Sequence, residues 1–316
     1  MHCCTFLITS SKTGDEYQLL CKPMNEPGTI ALIPTSGLGN RLRIIATSIK
    51  LAREGNKKLQ IYWNRNSELN APFDKLFEYP LHLSIKPIPL KYKAWIVMRR
   101  FSSKLFGFEN WYLSLFKFDF VFLDSMVTDV LQNRLNLQKE VNKAKKTFIC
   151  SYEEVNYFDL VDYQIFKPVA DIQKTIEVMA LQFASATIGI HIRATDHVAS
   201  IKNSPFYLFE NKMHEELRIN PEVTFFIATD NEDYQNTLLQ KFGKKKILFH
   251  TKVFRRDVTE GITDAVVDLF CLSKTSKIYG SYWSSFSYVA GRIGQVPVHI
   301  LKKDEVANTY VNDANN

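Results

Sequence analysis

The sequence of 316 residues holds no run of about 18 uninterrupted apolar residues, so no membrane-spanning helix is expected. It has no internal repeat and no low-complexity tract, which sets repeat arrays and disordered linkers aside. Its five cysteines, at 3, 4, 21, 150 and 271, are odd in number and scattered, without the spacing of a zinc site. They read as reduced thiols of a cytosolic protein. The opening Met1-His-Cys-Cys-Thr-Phe-Leu-Ile-Thr-Ser10 lacks a basic flank and a long apolar run, so no signal peptide is expected and the location reads as cytoplasmic. Nor is there an Asp-x-Asp pair of the kind that holds a diphosphate-bound metal, since Asp230 and Asp233 have the wrong spacing.

What is present can bury a full core, with 46% hydrophobic and 13% aromatic residues. The length exceeds what one core usually reaches, so two domains are expected, over residues 1–167 and 168–316. A formal charge of +7 points to an acidic partner such as nucleic acid, an anionic membrane surface or phosphate. Between Lys86 and Phe118 stand seven Lys/Arg against the single acid Glu109, with nine aromatic residues interleaved. This segment reads either as a helical subdomain with aromatic core and solvated lysines, or as a surface for an acceptor or for the inner face of a membrane. Nucleic acid is not favoured, because no recognised binding module surrounds the patch.

Apolar runs at Thr29–Pro34, Lys58–Trp63, Lys146–Ser151, Val223–Thr229, Lys246–His250, Lys277–Gly280 and Pro297–Leu301 read as strands. Helical patterns separate them, at about 41–54, 170–183, 234–242, 262–272 and 288–294. Alternation of this kind implies an α/β fold with parallel sheets. After the first strand, Thr35-Ser-Gly-Leu-Gly-Asn40 leads into a helix, which is the strand–turn–helix geometry that binds phosphate at a helix N-terminus. Gly37 and Gly39 lack the third glycine of a dinucleotide site, and the second strand ends at Asn64 without a ribose-binding acid. The tail after Asp304 reads as frayed.

One stretch organises the second half: Ile188-Gly-Ile-His-Ile-Arg-Ala-Thr-Asp196. Ile188, Ile190 and Ile192 alternate to one side of a strand, and Gly189, His191 and Arg193 to the other. Alone, His191 reads as a satisfied core histidine and Arg193 as a surface ion-pair partner. Together at the carboxyl end of a strand, they read as ligand groups.

Four segments carry a resemblance. Gly37-Leu-Gly-Asn-Arg41, His191-Ile-Arg193 with Thr195-Asp196, Ile227-Ala-Thr-Asp230, and Val267-Asp268 through Ser284-Ser285-Phe-Ser resemble, in this order, the motifs of the inverting fucosyltransferase superfamily. The resemblance implies an α/β, GT-B-like fold of two facing Rossmann-like domains with parallel sheets. It also implies a GDP-fucose donor bound by the second domain, a glycan acceptor and no metal. In the family the arginine of His-x-Arg, here Arg193, holds the leaving phosphate together with a serine matching Ser284 or Ser285. The family's base-reading aspartate and histidine match Asp268 and His191, and Asp230 stands where ribose or base would lie. Gly37, Gly39, Asn40 and Arg41 complete the donor-binding set.

The chain also departs from the pattern. Many members carry a second arginine where Ala194 stands, and Val198-Ala-Ser-Ile201 lacks the acid that serves the core α-1,6 enzymes as a candidate base. Asp196 and His197 are then the nearest candidate bases, with Asp74, Glu153 and Glu154 available from the first half.

Overall fold

Thr29-Ile-Ala-Leu-Ile-Pro34 is apolar at nearly every position, and it becomes the central strand of a sheet covered on both faces. The computed structural model describes residues 26–80, 83–101, 113, 115–153, 163–195, 197–303 and 308–310. Cys3, Cys4, Cys21, Glu154 and Asp196 lie outside these residues.

In the first half, β1 (Thr29–Pro34), α1 (Leu38–Glu54), β2 (Lys58–Trp63), β3 (Ser84–Pro87), α2 (Leu90–Phe101), β4 (Phe120–Leu123), α3 (Val127–Leu131), α4 (Leu137–Lys143) and β5 (Lys146–Ser151) follow in order. The strands form an all-parallel sheet, β3-β2-β1-β5-β4. In the second half come α5 (Ala170–Ala180), β6 (Ile188–Ile192), α6 (Val198–Asn203), α7 (Phe206–Ile219), β7 (Phe225–Thr229), α8 (Glu232–Phe242), β8 (Ile247–Leu248), α9 (Thr259–Leu272), β9 (Ile278–Ser281), α10 (Ser285–Gly294), β10 (Val298–Leu301) and β11 (Asn308–Tyr310). Their sheet runs β11-β10-β9-β6-β7-β8, parallel except for β11. The tail expected to fray therefore contributes an edge strand. Its polar sequence is no obstacle, because the ladder needs only backbone groups.

The alternation read in the organising strand holds. Ile188, Ile190 and Ile192 pack with Phe209 and Met213 of α7 on one face. Gly189 turns to the other, where an added Cβ would stand 2.8 Å from Leu272 and Thr275. In the basic segment, Tyr92, Trp95 and Leu113 are buried against Phe148 and Leu123, while Lys91 and Lys93 are exposed. The aromatics described there are core, as the subdomain reading expects. Cys150 and Cys271 are buried free thiols, and burial pushes Cys150 up to about 12.

A continuous apolar cluster joins the halves, with Phe77 against Phe270 at 6.4 Å between ring centroids. At the front, the backbone N–H of Asn70 donates to the Arg256 carbonyl at 3.1 Å. Helix α1 starts at Leu38 rather than near Arg41, so Gly39, Asn40 and Arg41 lie inside its first turn.

Arg41 takes a different role from the donor contact expected of it. Its side chain is fully buried and donates to the Ser36 carbonyl at 2.7 Å, to the Asn64 carbonyl and to Asn66 Oδ1 at 3.0 Å. It also lies over the Trp63 ring at 5.0 Å. Burial lowers its pKa to about 10, which leaves it charged at neutral pH. The guanidinium thus ties the Gly-rich turn to the end of β2. Arg41→Met should lower stability by about 3 kcal/mol or more, because several buried acceptors lose their donor at ~1–3 kcal/mol each. The urea midpoint reads this, and an unchanged midpoint would return Arg41 to the candidate ligand groups.

Candidate functional site

The carboxyl ends of β6 and β9 open toward the N-termini of two helices, and neither helix start has a side-chain cap. Gly37 precedes α1 and Ser284 precedes α10. The two starts nearly touch, since a Cβ on Gly39 would stand 2.8 Å from Ser285 Oγ and 3.0 Å from its carbonyl carbon. Only glycine permits that approach without displacement. A Cβ on Gly37 would meet nothing within 4 Å, so open space lies beside the turn. The residue before each cap, Ser36 (φ 66°) and Trp283 (φ 55°), is held in the left-handed region. Such conformations cost about 1–3 kcal/mol each and concentrate at ligand sites. Two uncapped helix starts present converging N–H groups and positive partial charge, which is a site for an anion.

Side chains add to that field. His191, buried at the end of β6, stacks on Phe286 of α10 at 4.9 Å between centroids. Its Nδ1 and the Ser284 Oγ are buried without a hydrogen-bond partner among the described residues. Burial first, then the charges of Arg193, Lys252 and Arg256, hold the imidazole at about 3, so it is neutral at physiological pH. Three cations therefore surround a neutral histidine. The Arg193 backbone N–H donates to Ser281 Oγ at 2.9 Å, fixing the exit of β6 against β9.

Asp230 organises this edge. Its Oδ1 accepts from the Ala194 N–H at 2.7 Å, and its Oδ2 from Thr195 Oγ1 and Arg256 Nη2, both at 2.8 Å. With both oxygens engaged, it shapes the loop after β6 rather than pointing to a ribose. Asn231, not Asp230, caps α8 through the Tyr234 N–H.

Asp264 and Asp268 lie one turn apart on α9, as their spacing requires, and both grip the loop before it. Asp264 Oδ1 pairs with His250 Nε2 at 2.9 Å and Oδ2 accepts from the Val253 N–H at 2.8 Å. Asp268 Oδ2 pairs with Lys252 Nζ at 2.5 Å, both side chains buried. Its Oδ1 is buried without a partner among the described residues. Burial raises the Asp268 pKa, and Lys252 opposes that shift.

Of the expected site residues, the structure gathers Gly37, Gly39, His191, Arg193, Asp230, Asp268, Ser284 and Ser285 around this edge. Asn40 is engaged at both ends of its amide, donating to Ser36 Oγ at 2.9 Å and accepting from Arg43 at 2.8 Å. His197 caps α6, its Nδ1 accepting from the Ser200 N–H at 3.0 Å. That bond places the ring proton on Nε2 and leaves no lone pair to accept a substrate proton, so the expected base role of His197 does not fit. Asp74 is exposed on a short 3₁₀ turn. Sequence reading missed Lys252, Arg256 and Ser281. The signal for the first two was the basic run Lys252-Val-Phe-Arg-Arg256, in a loop that α/β topology delivers to the strand ends.

Two Rossmann-like halves with parallel sheets define a GT-B-like fold. No protein-family model and no curated protein sequence matches the chain. Among solved structures, the fucosyltransferase NodZ from Bradyrhizobium gives a TM-score of 0.59 at 16% identity, over 90% of this chain and 99% of that one. A FUT1 variant from Arabidopsis thaliana in complex with GDP gives 0.57 at 15% identity, over 90% and 74%. POFUT1 in complex with GDP-fucose gives 0.52 at 12% identity, over 87% and 98%. The chain has the fold of these fucosyltransferases, in agreement with the resemblance carried by its motifs.

The neutral His191 has a measurable consequence. The unfolded chain binds a proton at this residue below about 6.5, whereas the native chain does so only near 3. Stability should therefore fall as pH drops through that window, by up to ~1.4 kcal/mol per unit. Urea unfolding across the window should show a shallower loss in His191→Gln than in the parent. Equal slopes would mean that His191 is protonated in the native state.

Proposed function

We propose that the protein is an inverting, metal-independent fucosyltransferase that takes fucose from GDP-fucose and transfers it to a glycan acceptor. The observation that carries this reading is the close approach of two uncapped helix starts near the exit of β6, where Arg193 stands, beside a buried Ser284 hydroxyl without a hydrogen-bond partner among the described residues. Fucosyl transfer builds positive charge on the sugar and negative charge on the departing β-phosphate. Fixed donors aimed at that phosphate stabilise the transition state without reorganising. In this reading the Arg193 guanidinium and the first N–H groups of α10 hold the β-phosphate, and the Ser284 or Ser285 hydroxyl completes its shell. The neutral imidazole of His191 stacks beside the base, and Asp268 reads the guanine N–H edge through Oδ1, its Oδ2 staying with Lys252. The second half thus holds the donor and the first half faces the acceptor. Exposed Leu90 and Val97, beside Lys91 and Lys93 on α2, support a peripheral contact with an anionic membrane surface. No helix among the described residues is long and apolar enough to cross one.

Release of GDP from GDP-fucose tests the chemistry. Arg193→Ala should fold like the parent and lose roughly two to three orders of magnitude in turnover. The parent rate should survive EDTA, since cationic side chains and helix ends neutralise the diphosphate. Parent-like turnover in the variant would remove Arg193 from the mechanism, and a chelation loss restored by Mn²⁺ or Mg²⁺ would contradict metal independence.

Calorimetric titration of GDP, UDP and ADP tests the donor. GDP should bind tightest, because the other bases leave the buried Asp268 oxygen without a donor. Asp268→Asn should weaken GDP by about 2–4 kcal/mol. Equal affinity for the three nucleotides would sink the guanine assignment.

A further inference from the structure

An acceptor hydroxyl must lose a proton as it attacks, and among the described residues the acids beside the donor site are already committed. Both oxygens of Asp230 and of Asp264 accept hydrogen bonds, and Asp268 is buried against Lys252. His197 spends its lone pair on the α6 cap. At the end of β4, Asp124 is turned to the Tyr152 N–H at 3.1 Å and to Arg99 at 3.9 Å.

Glu153 is placed differently. It stands two residues after β5, at the carboxyl edge of the first sheet, where the Thr35 N–H meets the Ser151 carbonyl at 3.1 Å. Its Oε2 accepts from Arg43 Nη2 at 3.2 Å, and the same Arg43 nitrogen donates to Asn40 Oδ1 at 2.8 Å. Arg43 stands one turn beyond Gly39 on α1, about 6 Å along the axis. Gly39 is the residue that meets Ser285, so Glu153 is tied to the helix that borders the phosphate site. Its side chain remains 27% exposed, enough for a substrate to reach.

We propose that Glu153 is the general base of the transfer, with Arg43 as the residue that positions it. This rests on the donor site described under Proposed function. The Glu153 carboxylate takes the proton of the acceptor O–H while that oxygen forms its bond to the fucose anomeric carbon. The bond from that carbon to the phosphate oxygen breaks on the opposite face, and its electron pair leaves on the β-phosphate of GDP. Water can take the acceptor's place by the same step, which gives slow hydrolysis.

The test uses the whole protein, with GDP-fucose in water and GDP release as the readout, beside calorimetric titration of GDP. Glu153→Gln should slow release by roughly 10²- to 10⁴-fold, the usual contribution of a general base. Its GDP affinity should stay within about twofold of the parent, because the carboxylate does not touch the nucleotide. Glu153→Ala should lose activity likewise and recover at least about tenfold with added sodium formate, a small carboxylate able to fill the vacated space. A purely structural residue would show no such rescue. Parent-like release in Glu153→Gln, absence of formate rescue, or a parent that binds GDP yet leaves GDP-fucose intact would each overturn this assignment alone. A parent that binds no GDP would overturn the donor reading, and this proposal with it.

Discussion

The close approach of Gly39 to Ser285 is the constraint from which the rest of the site follows. It brings the starts of α1 and α10, one from each half, to within contact, with no side chain capping either. Aligned peptide dipoles then meet end to end with the same sign. That arrangement is unfavourable in an empty protein and favourable around an anion. The fold holds it through other means: the apolar cluster shared by the two halves, Arg41 locked beneath the turn, and the Asn70–Arg256 backbone bond in front. Stability lies in the core and seam, and the strained turns at Ser36 and Trp283 are the local cost.

The loop from His250 to Asp257 is the second determinant. It carries no regular structure, yet three acids fix it: Asp264 and Asp268 from α9 and Asp230 from the end of β7. The Lys252–Asp268 and Arg256–Asp230 pairs do two jobs: each neutralises a partly buried charge, and each sets a cation where it acts on His191. A neutral imidazole among cations suits stacking and hydrogen bonding better than proton transfer. In the proposed reading this separates donor binding by the second half from proton abstraction by Glu153 of the first.

Much of this was legible in the sequence, for physical reasons that differ by element. The apolar runs of β1, β6 and β7 could only be buried strands, and the alternation in Ile188–Ile192 placed His191 on the face opposite those isoleucines. The approach of Gly39 to Ser285 was not legible, because contact between distant segments leaves no periodic trace. Nothing local distinguishes a fully buried arginine bonded to carbonyls, as Arg41 is, from one aimed at a ligand. His197 was misjudged because a histidine cap looks like any exposed histidine. Lys252 and Arg256 escaped notice as a basic loop, and loops have no repeat to read. Helices α6 and α7 went unread over 198–219, where charged residues interrupt the apolar stripe.

A crystal structure of the protein with GDP tests the central claim most directly, since that claim concerns where an anion sits. The account predicts the β-phosphate within hydrogen-bond distance of Arg193, the α10 N–H groups and Ser284 or Ser285, with the guanine edge against Asp268. A nucleotide bound elsewhere, or a β-phosphate with no contact to Arg193 and α10, would contradict it.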